Sequence, residues 1–179
     1  FAAIAATQPA LLAQHFEAGA RPDKSIEYWL KAGQQGLSHN AYREAASHFR
    51  RGLAQVEKLP ESPERIAAEL GLQVALGPAL IAAQGYGSEE VGIACERARQ
   101  LCDIVGVTPQ KFPALFVLWS FHCVRANHVI SDKMSAEVLG MAQAVQNNDL
   151  LLEAHLTVGI SKFFLGESRA ALDNFNQCI

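Results

Sequence analysis

Apolar and polar residues along this chain follow a helical period, and no segment has the alternation of a strand. Ala, Leu, Gln and Glu are abundant, whereas runs of alternating β-branched residues are missing. Turn-forming residues interrupt the pattern at 19–22, 38–40, 60–63, 85–87, 106–109, 131–132, 147–149 and 166–168. The pattern therefore predicts an all-α chain of about nine helices joined by short turns, the first over residues 9–19.

Some turns carry explicit signals for where a helix starts or ends. Ser62, Pro63 and Glu64 form an N-cap, a proline at the first helical position and an acid near the positive helix end. Gly106 is placed to end the preceding helix in a left-handed conformation. Pro78 lies inside a helical pattern, so we expect it to kink that helix near Val74 or to split it in two.

One pattern of small and large residues occurs twice, at 42–53 and again 126 residues later at 168–179. The shared offset pairs Arg43 with Arg169, Ala45 with Ala171, Phe49 with Phe175 and Gly33 with Gly159. In both copies a helix with a central glycine precedes a helix that carries an alanine and then a phenylalanine. The recurrence predicts a repeated unit of two helices.

Each unit fits an antiparallel helix pair. Glycine in the first helix and alanine in the second would let the two backbones cross closely, and phenylalanine would fill the gap beside the crossing. The copies use Trp29, Gly33, Ala45, Phe49 and Gly52; Ala79, Val91, Cys95 and Ala98; Trp119, Cys123, Ser135, Leu139 and Ala142; and His155, Gly159, Ala171, Phe175 and Cys178. One pair cannot bury its apolar surface alone, so we predict that the pairs stack into a single α-solenoid domain over residues 1–179.

The residue types at these equivalent positions, or slots, resemble those of the tetratricopeptide repeat, a helix-turn-helix unit of about 34 residues. The units here are longer, because equivalent positions at residues 26, 72, 116 and 152 are 46, 44 and 36 apart. The family's usual aromatic residue at the eleventh position is replaced by Gly36, Ala82, Ala126 and Lys162. The resemblance therefore implies a tetratricopeptide-like solenoid with irregular, elongated repeats.

Three segments, at 26–53, 72–91 and 151–172, resemble the C-terminal helical region of bacterial multidomain signal-transduction NTPases. Many of those proteins carry an adenylate or guanylate cyclase domain at the N-terminus. The resemblance implies a nucleotide-hydrolysing switch elsewhere in a longer cytoplasmic protein, with this chain as a non-enzymatic docking or regulatory arm. Residue 1 opens inside an apolar stretch and residue 179 ends with a helix still in phase, so we expect a fragment.

Composition narrows the classes of partner and site. A net charge of −3 gives no long-range attraction to nucleic acid or to anionic lipid. The apolar run at 70–83 is shorter than the roughly 20 residues that span a bilayer. Four cysteines make no compact disulfide framework and fit a reducing cytoplasm. No phosphate-binding loop, zinc-protease motif or nucleophile elbow occurs, so we expect no catalytic residue, cofactor or metal ion.

An alternative is a helical ligand-binding or enzymatic domain with a small site between helices. Its candidate residues are His122, Arg125 and His128. His122 and His128 are six positions apart, however, and on one helix they would point in different directions. Cys95 and Cys102 share a helix face and are interpreted as core residues rather than as a metal or redox pair.

A partner is expected to touch the first helix of each pair, which lines the groove in tetratricopeptide-like arrays. The groove candidates are Glu27, Leu30, Gln34 and Ser38 in the first copy, Ser120, Val124, Asn127 and His128 in the third, and Glu153, Leu156, Ile160, Phe163 and Phe164 in the last. Of Phe163 and Phe164, one is expected in the core and the other exposed. One subgroup of the tetratricopeptide family binds the C-terminal carboxylate of a peptide through Lys and Asn on this face. The equivalent positions here are Leu30, Gln34, Leu156 and Ile160, so we do not expect binding of a peptide carboxylate in that way.

The mixed to apolar character of this face suits an amphipathic helix or a neighbouring domain. The expected partner is therefore protein, either the NTPase and cyclase domains of the same chain or a separate molecule. Further repeats of the solenoid would cover the same apolar residues and are an equal alternative. Self-association of exposed solenoid ends into a homodimer is the third.

Overall fold

The computed structural model describes residues 8–106 and 111–178, which form nine α-helices and no strand. The all-α prediction is therefore confirmed for the described chain. The helices are α1 (Pro9–Ala18), α2 (Pro22–Ser38), α3 (Tyr42–Val56), α4 (Pro63–Gln84), α5 (Glu89–Val105), α6 (Lys111–Val124), α7 (His128–Val145), α8 (Asn148–Phe164) and α9 (Ser168–Asn176).

Each helix packs against the next one along the chain, from α1 through α9. Short turns join most of these neighbours, so consecutive helices run in opposite directions. The even-numbered helices α2, α4, α6 and α8 also contact one another in order. They therefore form a continuous row against which the other helices pack.

The apolar core extends along the array as four clusters of buried residues, some of which draw on the same helices. Its largest cluster joins Phe49 of α3, Leu72 and Leu80 of α4, Val91 of α5 and Leu118 of α6. A second large cluster of buried side chains joins helices α6, α7 and α8. Because neighbouring pairs share core side chains, no pair is an independent folding unit.

Local signals in the sequence fix several helix ends. Ser62 caps α4 by accepting a hydrogen bond from the backbone N–H of Arg65, at 3.2 Å. Gly106 follows α5 with a φ of 94°, which side chains rarely adopt, and so ends that helix as expected. Pro78 does not split its helix, because α4 continues through it to Gln84.

The turn predicted at 131–132 was wrong. The chain turns at residues 125–127 instead, where Ala126 has a φ of 57°, and α7 begins at His128. Ser131 lies inside α7, where it is buried and its hydroxyl donates to the backbone oxygen of His128 at 3.0 Å. Serine favours turns because it competes for backbone groups, but here the same hydroxyl is satisfied within the helix.

The repeated glycine accommodates an aromatic ring rather than a crossing backbone. A Cβ on Gly33 would overlap the ring of Phe49, and a Cβ on Gly159 would overlap the ring of Phe175. Ala45 of α3 was expected opposite Gly33 but faces Gly36, about one turn further along α2. A Cβ on Gly36 would lie 3.0 Å from the Cβ of Ala45. The small residues thus make two separate contacts, one with a ring and one with a backbone.

A third contact of this kind joins two successive pairs. A Cβ added to Gly92 of α5 would come within 2.5 Å of the Phe121 ring on α6. The offset comparison of the repeats did not reveal this contact, because Gly92 and Phe121 occupy slots that hold other residue types in the remaining copies.

Replacing glycines by alanine should distinguish two effects on the free energy of unfolding, the contact with an aromatic ring and the higher helix propensity of alanine. We expect Gly33→Ala to lower the free energy of unfolding by about 1–3 kcal/mol, because the Phe49 ring must move. Gly71→Ala is the matched control, since nothing lies within 4 Å of a Cβ there. It should raise the free energy of unfolding by up to about 1 kcal/mol through helix propensity.

Urea unfolding of both variants measures these changes. The loss in Gly33→Ala should shrink in a Phe49→Leu background, because the smaller side chain leaves room for the added methyl group. Equal stabilisation by the two alanine substitutions would contradict the proposed contact.

Candidate interaction surface

Two polar contacts hold the C-terminal end of α8 against α6 and α7. The indole N–H of Trp119 donates to the hydroxyl of Ser161 at 2.8 Å, with both residues buried. The ammonium of Lys162 lies 3.0 Å from a carboxylate oxygen of Asp132. These contacts tie the end of α8 to both helices that flank the α6–α7 turn.

An exposed apolar surface forms at this junction. The rings of Phe164 and His128 stack with centroids 4.8 Å apart, and Phe163 meets Phe164 edge to face at 5.7 Å. Phe163 is 62% exposed and Phe164 is 50% exposed. Val124, at the other end of the turn that precedes His128, is 64% exposed. We call Val124, His128, Phe163 and Phe164 the aromatic turn patch.

The expectation that one of the two phenylalanines lies in the core was wrong. Both follow Ser161, the last buried residue of α8, and that helix ends at Phe164. No position remains on this turn for a ring to reach the core. The ring of Phe164 is instead supported from one side by His128, whose own Nδ1 is buried and lacks a hydrogen-bond partner.

The other groove candidates of the third and last copies differ in accessibility. Ser120 is largely buried and donates to the backbone oxygen of Phe116 at 3.0 Å, so a partner could not reach its hydroxyl. Asn127 and Glu153 are exposed, Leu156 is 40% exposed, and Ile160 is half-buried.

In the first copy, most groove candidates already have neighbours in the chain. Glu27 accepts from Lys24 at 3.1 Å and from Lys31 at 2.7 Å, and these hydrogen bonds hold its carboxyl pKa below the usual range. Leu30 is half-buried against the main core. Gln34 and Ser38 are exposed, and the Ser38 hydroxyl donates to its own helix.

The alternative site around His122, Arg125 and His128 does not converge on one point. Arg125 lies over the ring of Phe121 and donates to the backbone oxygen of Gly87 at 3.2 Å. His122 lies 3.4 Å from the Asn127 amide, and partial burial lowers its pKa. The His122 ring also meets the Phe121 ring edge to face, with centroids 5.0 Å apart. His122 and Arg125 therefore share Phe121 as a neighbour, whereas His128 stacks on Phe164.

The cysteines of α5 lie in the core. Cys95 is buried, and burial raises the pKa of its thiol to about 12, so the reactive thiolate is strongly disfavoured. Cys102 is buried as well. Across residues 8–106 and 111–178, no group of three His, Cys, Asp or Glu side chains is arranged to hold a metal ion.

A cavity of about 660 Å³ lies between α1, α2 and α3. Its polar lining includes His39, Glu44 and His48, which the sequence analysis did not single out as a site. The His48 ring stacks on Trp29 with centroids 5.3 Å apart, and its Nε2 lies 3.5 Å from Glu44. Burial lowers the pKa of His48, while Glu44 partly opposes that shift. The imidazole therefore favours its neutral form.

Two of the three arginines of α3 have partners within the chain. The guanidinium of Arg50 forms two hydrogen bonds with the Glu90 carboxylate, at 2.6 and 2.7 Å. Arg51 lies over the Trp29 ring at 4.2 Å and 3.9 Å from Glu17. Contacts within the chain therefore already engage the charges of Arg50 and Arg51, which nucleic-acid phosphates would otherwise have to bind.

Among the described helices, α4 alone is long and apolar enough to cross a membrane. It is 22 residues long, because the helix begins well before the apolar run that the sequence analysis considered. Leu70, Leu72, Leu76 and Leu80 of α4 are buried in the core. These four leucines place one face of α4 in the core of the helix array.

No protein-family model and no curated protein matches this chain. Its function must therefore be inferred from the surfaces and contacts described above.

The partly buried His48 should make the stability of the chain depend on pH. Because the pKa of His48 is depressed in the folded chain, the contribution of its neutral ring to the free energy of unfolding is complete above the ordinary pKa of 6.5. It should decline as the pH falls below 6.5, since the unfolded chain then binds the proton first. His48→Phe keeps a ring against Trp29 but cannot be protonated. Urea unfolding at about pH 7.5 and about pH 5.5 should show a smaller acid loss in the variant.

Some acid loss should remain in that variant, because His122 has a depressed pKa for the same reason. An acid loss equal to that of the wild-type chain would contradict the assignment to His48.

Proposed function

We propose that this chain is a non-catalytic protein-interaction module, built as a tetratricopeptide-like solenoid of antiparallel helix pairs. In this proposal it serves as the regulatory arm of a larger cytoplasmic bacterial signalling NTPase or cyclase-linked protein. The consecutive packing of all nine described helices and the ordered contacts among α2, α4, α6 and α8 support the repeat architecture. The resemblance of three segments to such proteins supports the signalling context.

The aromatic turn patch is the observation that carries the docking role. Two phenylalanine rings at least half exposed, and an exposed valine at the end of α6, leave apolar surface in water that a partner could bury. Aromatic side chains are the usual anchors of protein interfaces. Their support by His128 and by the ties from α8 to α6 and α7 fixes the rings before a partner arrives, which lowers the entropy cost of binding.

An amphipathic helix is the partner chemistry that fits best. Its leucines, spaced three and four residues apart, would cover both phenylalanines while its polar face stayed in water. Lys162 borders the patch and pairs with two carboxylates, those of Asp132 and Glu167, so these three groups together carry a charge of only −1. The rim therefore selects no strongly charged partner, and apolar burial would supply most of the affinity.

Regulation would follow from docking in one conformational state. If a helix of the NTPase domain is accessible in only one state of that domain, docking on the patch shifts the equilibrium toward that state. The shift cannot exceed the difference in docking free energy between the two states. No residue of this chain needs to take part in nucleotide hydrolysis.

Peptide binding tests the patch directly. We expect an amphipathic helical peptide with leucines three and four residues apart to perturb the backbone NMR resonances around Val124, His128 and Phe163. Substituting Phe163 and Phe164 together by serine should weaken binding at least about tenfold, because both anchors are lost. Ile93→Ser is the control, since Ile93 is 64% exposed on α5. Equal affinities in both variants would remove the patch from the proposal.

Nucleotide turnover tests the regulatory role. In the longer natural protein, we expect the hydrolysis rate to change when Phe163 and Phe164 become serine and to stay constant in Ile93→Ser. Circular dichroism must first show equal folding of the variants. Unchanged turnover in all of them would contradict the regulatory arm while leaving a passive docking module.

A further inference from the structure

The cavity between α1, α2 and α3 combines apolar walls with a single carboxylate. Its volume of about 660 Å³ lies within the range of small-molecule sites, about 300–1,000 Å³. Leu11, Ala32 and Ala41 are among its apolar residues. Glu44 is the one acidic residue in its described lining, which contains no lysine or arginine. The cavity is therefore large enough for a small molecule and carries a negative charge.

The two histidines of the lining add hydrogen-bond acceptors. Nδ1 of His39 lies 2.9 Å from the backbone oxygen of Gln35, which can only accept, so Nδ1 carries the hydrogen. Nε2 of the neutral His39 ring is then an acceptor. His39, Glu44 and His48 are not arranged to hold a metal ion. A ligand that suits this lining is therefore an organic molecule that donates hydrogen bonds.

The second copy of the repeat shows how a carboxylate at this position is satisfied. The offset of 46 residues between the first and second copies pairs Glu44 of α3 with Glu90 of α5. The guanidinium of Arg50, which belongs to the preceding helix pair, donates to both carboxylate oxygens of Glu90, at 2.6 and 2.7 Å. A guanidinium is thus the group that this array itself places on the equivalent carboxylate.

Glu44 has no such partner. The group paired with its carboxylate is the His48 ring, at 3.5 Å, and that ring favours its neutral form. The helix that packs before α2 is α1, which contains no lysine or arginine, and the sequence of residues 1–7 contains none either. These segments therefore cannot supply to Glu44 the cationic side chain that Arg50 supplies to Glu90.

The first copy also carries a polar ring where two later copies have core residues. Offsets of 46 and 90 residues pair His48 with Ala94 and Val138, both of which are buried. His48 instead lines the cavity, and its Nδ1 is buried without a hydrogen-bond partner. The polar lining is therefore a feature of the first helix pair rather than of the repeat.

We propose that this cavity binds a small molecule that carries a guanidinium group on an aliphatic chain. The guanidinium would donate two hydrogen bonds to the Glu44 carboxylate, as Arg50 does to Glu90. The aliphatic chain would pack against Leu11 and Ala32. The site lies in the first helix pair, so it does not depend on docking at the aromatic turn patch.

Charge and shape distinguish this ligand class from others. An anion would be repelled by the Glu44 carboxylate. A neutral molecule of the same shape could donate the same hydrogen bonds but would lack the attraction between opposite charges. An alkyl ammonium ion keeps the charge but cannot form the parallel pair of hydrogen bonds that a planar guanidinium forms with a carboxylate.

Titration of the purified chain with butylguanidinium, followed by backbone NMR, tests the site. We expect saturable shifts of the resonances of Glu44 and His48. Butylurea has nearly the same shape without the charge and should bind at least about tenfold more weakly. Butyrate should not bind.

A matched pair of variants tests the role of the carboxylate. Glu44→Gln should weaken butylguanidinium binding at least about tenfold, because the charge-assisted hydrogen bonds are lost. Glu57→Gln is the control, since it removes an exposed carboxylate just beyond the end of α3 and should leave the affinity unchanged. Circular dichroism establishes that both variants are folded.

A capped arginine residue, titrated in the same way, identifies the source of the guanidinium. Tighter binding than that of butylguanidinium would assign the site to an arginine side chain of a protein, and weaker binding to a free small molecule.

Three results would overturn the proposal. They are the absence of saturable binding at millimolar concentrations of butylguanidinium, equal affinities for butylguanidinium and butylurea, and equal affinities of Glu44→Gln and the wild-type chain. Peptide binding at the aromatic turn patch that persists when butylguanidinium fails to bind would leave the proposed function standing. Loss of peptide binding with intact butylguanidinium binding would do the reverse.

Discussion

The structure depends on glycines that make room for aromatic rings between packed helices. Gly33 receives the ring of Phe49, Gly159 that of Phe175 and Gly92 that of Phe121. The first two contacts lie within a helix pair and the third lies between successive pairs. Each ring fills a space that a Cβ would occupy, so it is close-packed without separating the two helices. The same kind of contact therefore holds the pairs together and joins one pair to the next.

Repetition of this packing decides which surfaces remain open. Inside the array, each pair buries the apolar positions of the one before it, as Leu72 does on Gly52. On α8 and α9, by contrast, Leu152, Leu156 and Leu172 are exposed. Which apolar positions are buried thus depends on the neighbouring helix pair as well as on the local sequence.

The polar groups of the described chain are largely engaged with one another. Arg50 holds Glu90, Lys162 holds Asp132, and Arg125 reaches the backbone of Gly87. Groups used in this way fix the helices relative to each other rather than converging on one point. The proposed docking role rests on the apolar and aromatic side chains exposed beside the α6–α7 and α8–α9 turns.

The sequence alone determined the helical class, the approximate number of helices, the helix ends at Ser62 and Gly106 and the recurrence of Gly33 and Phe49 as Gly159 and Phe175. These features follow from local preferences and from periodicity, which a linear pattern carries in full. The tertiary structure decided the rest. It placed Ser120 out of reach, left both Phe163 and Phe164 exposed, began α7 at His128 and set Gly92 against Phe121. Each of these outcomes depends on which helix lies across from a residue. That neighbour is distant in sequence, so the linear pattern could not supply it.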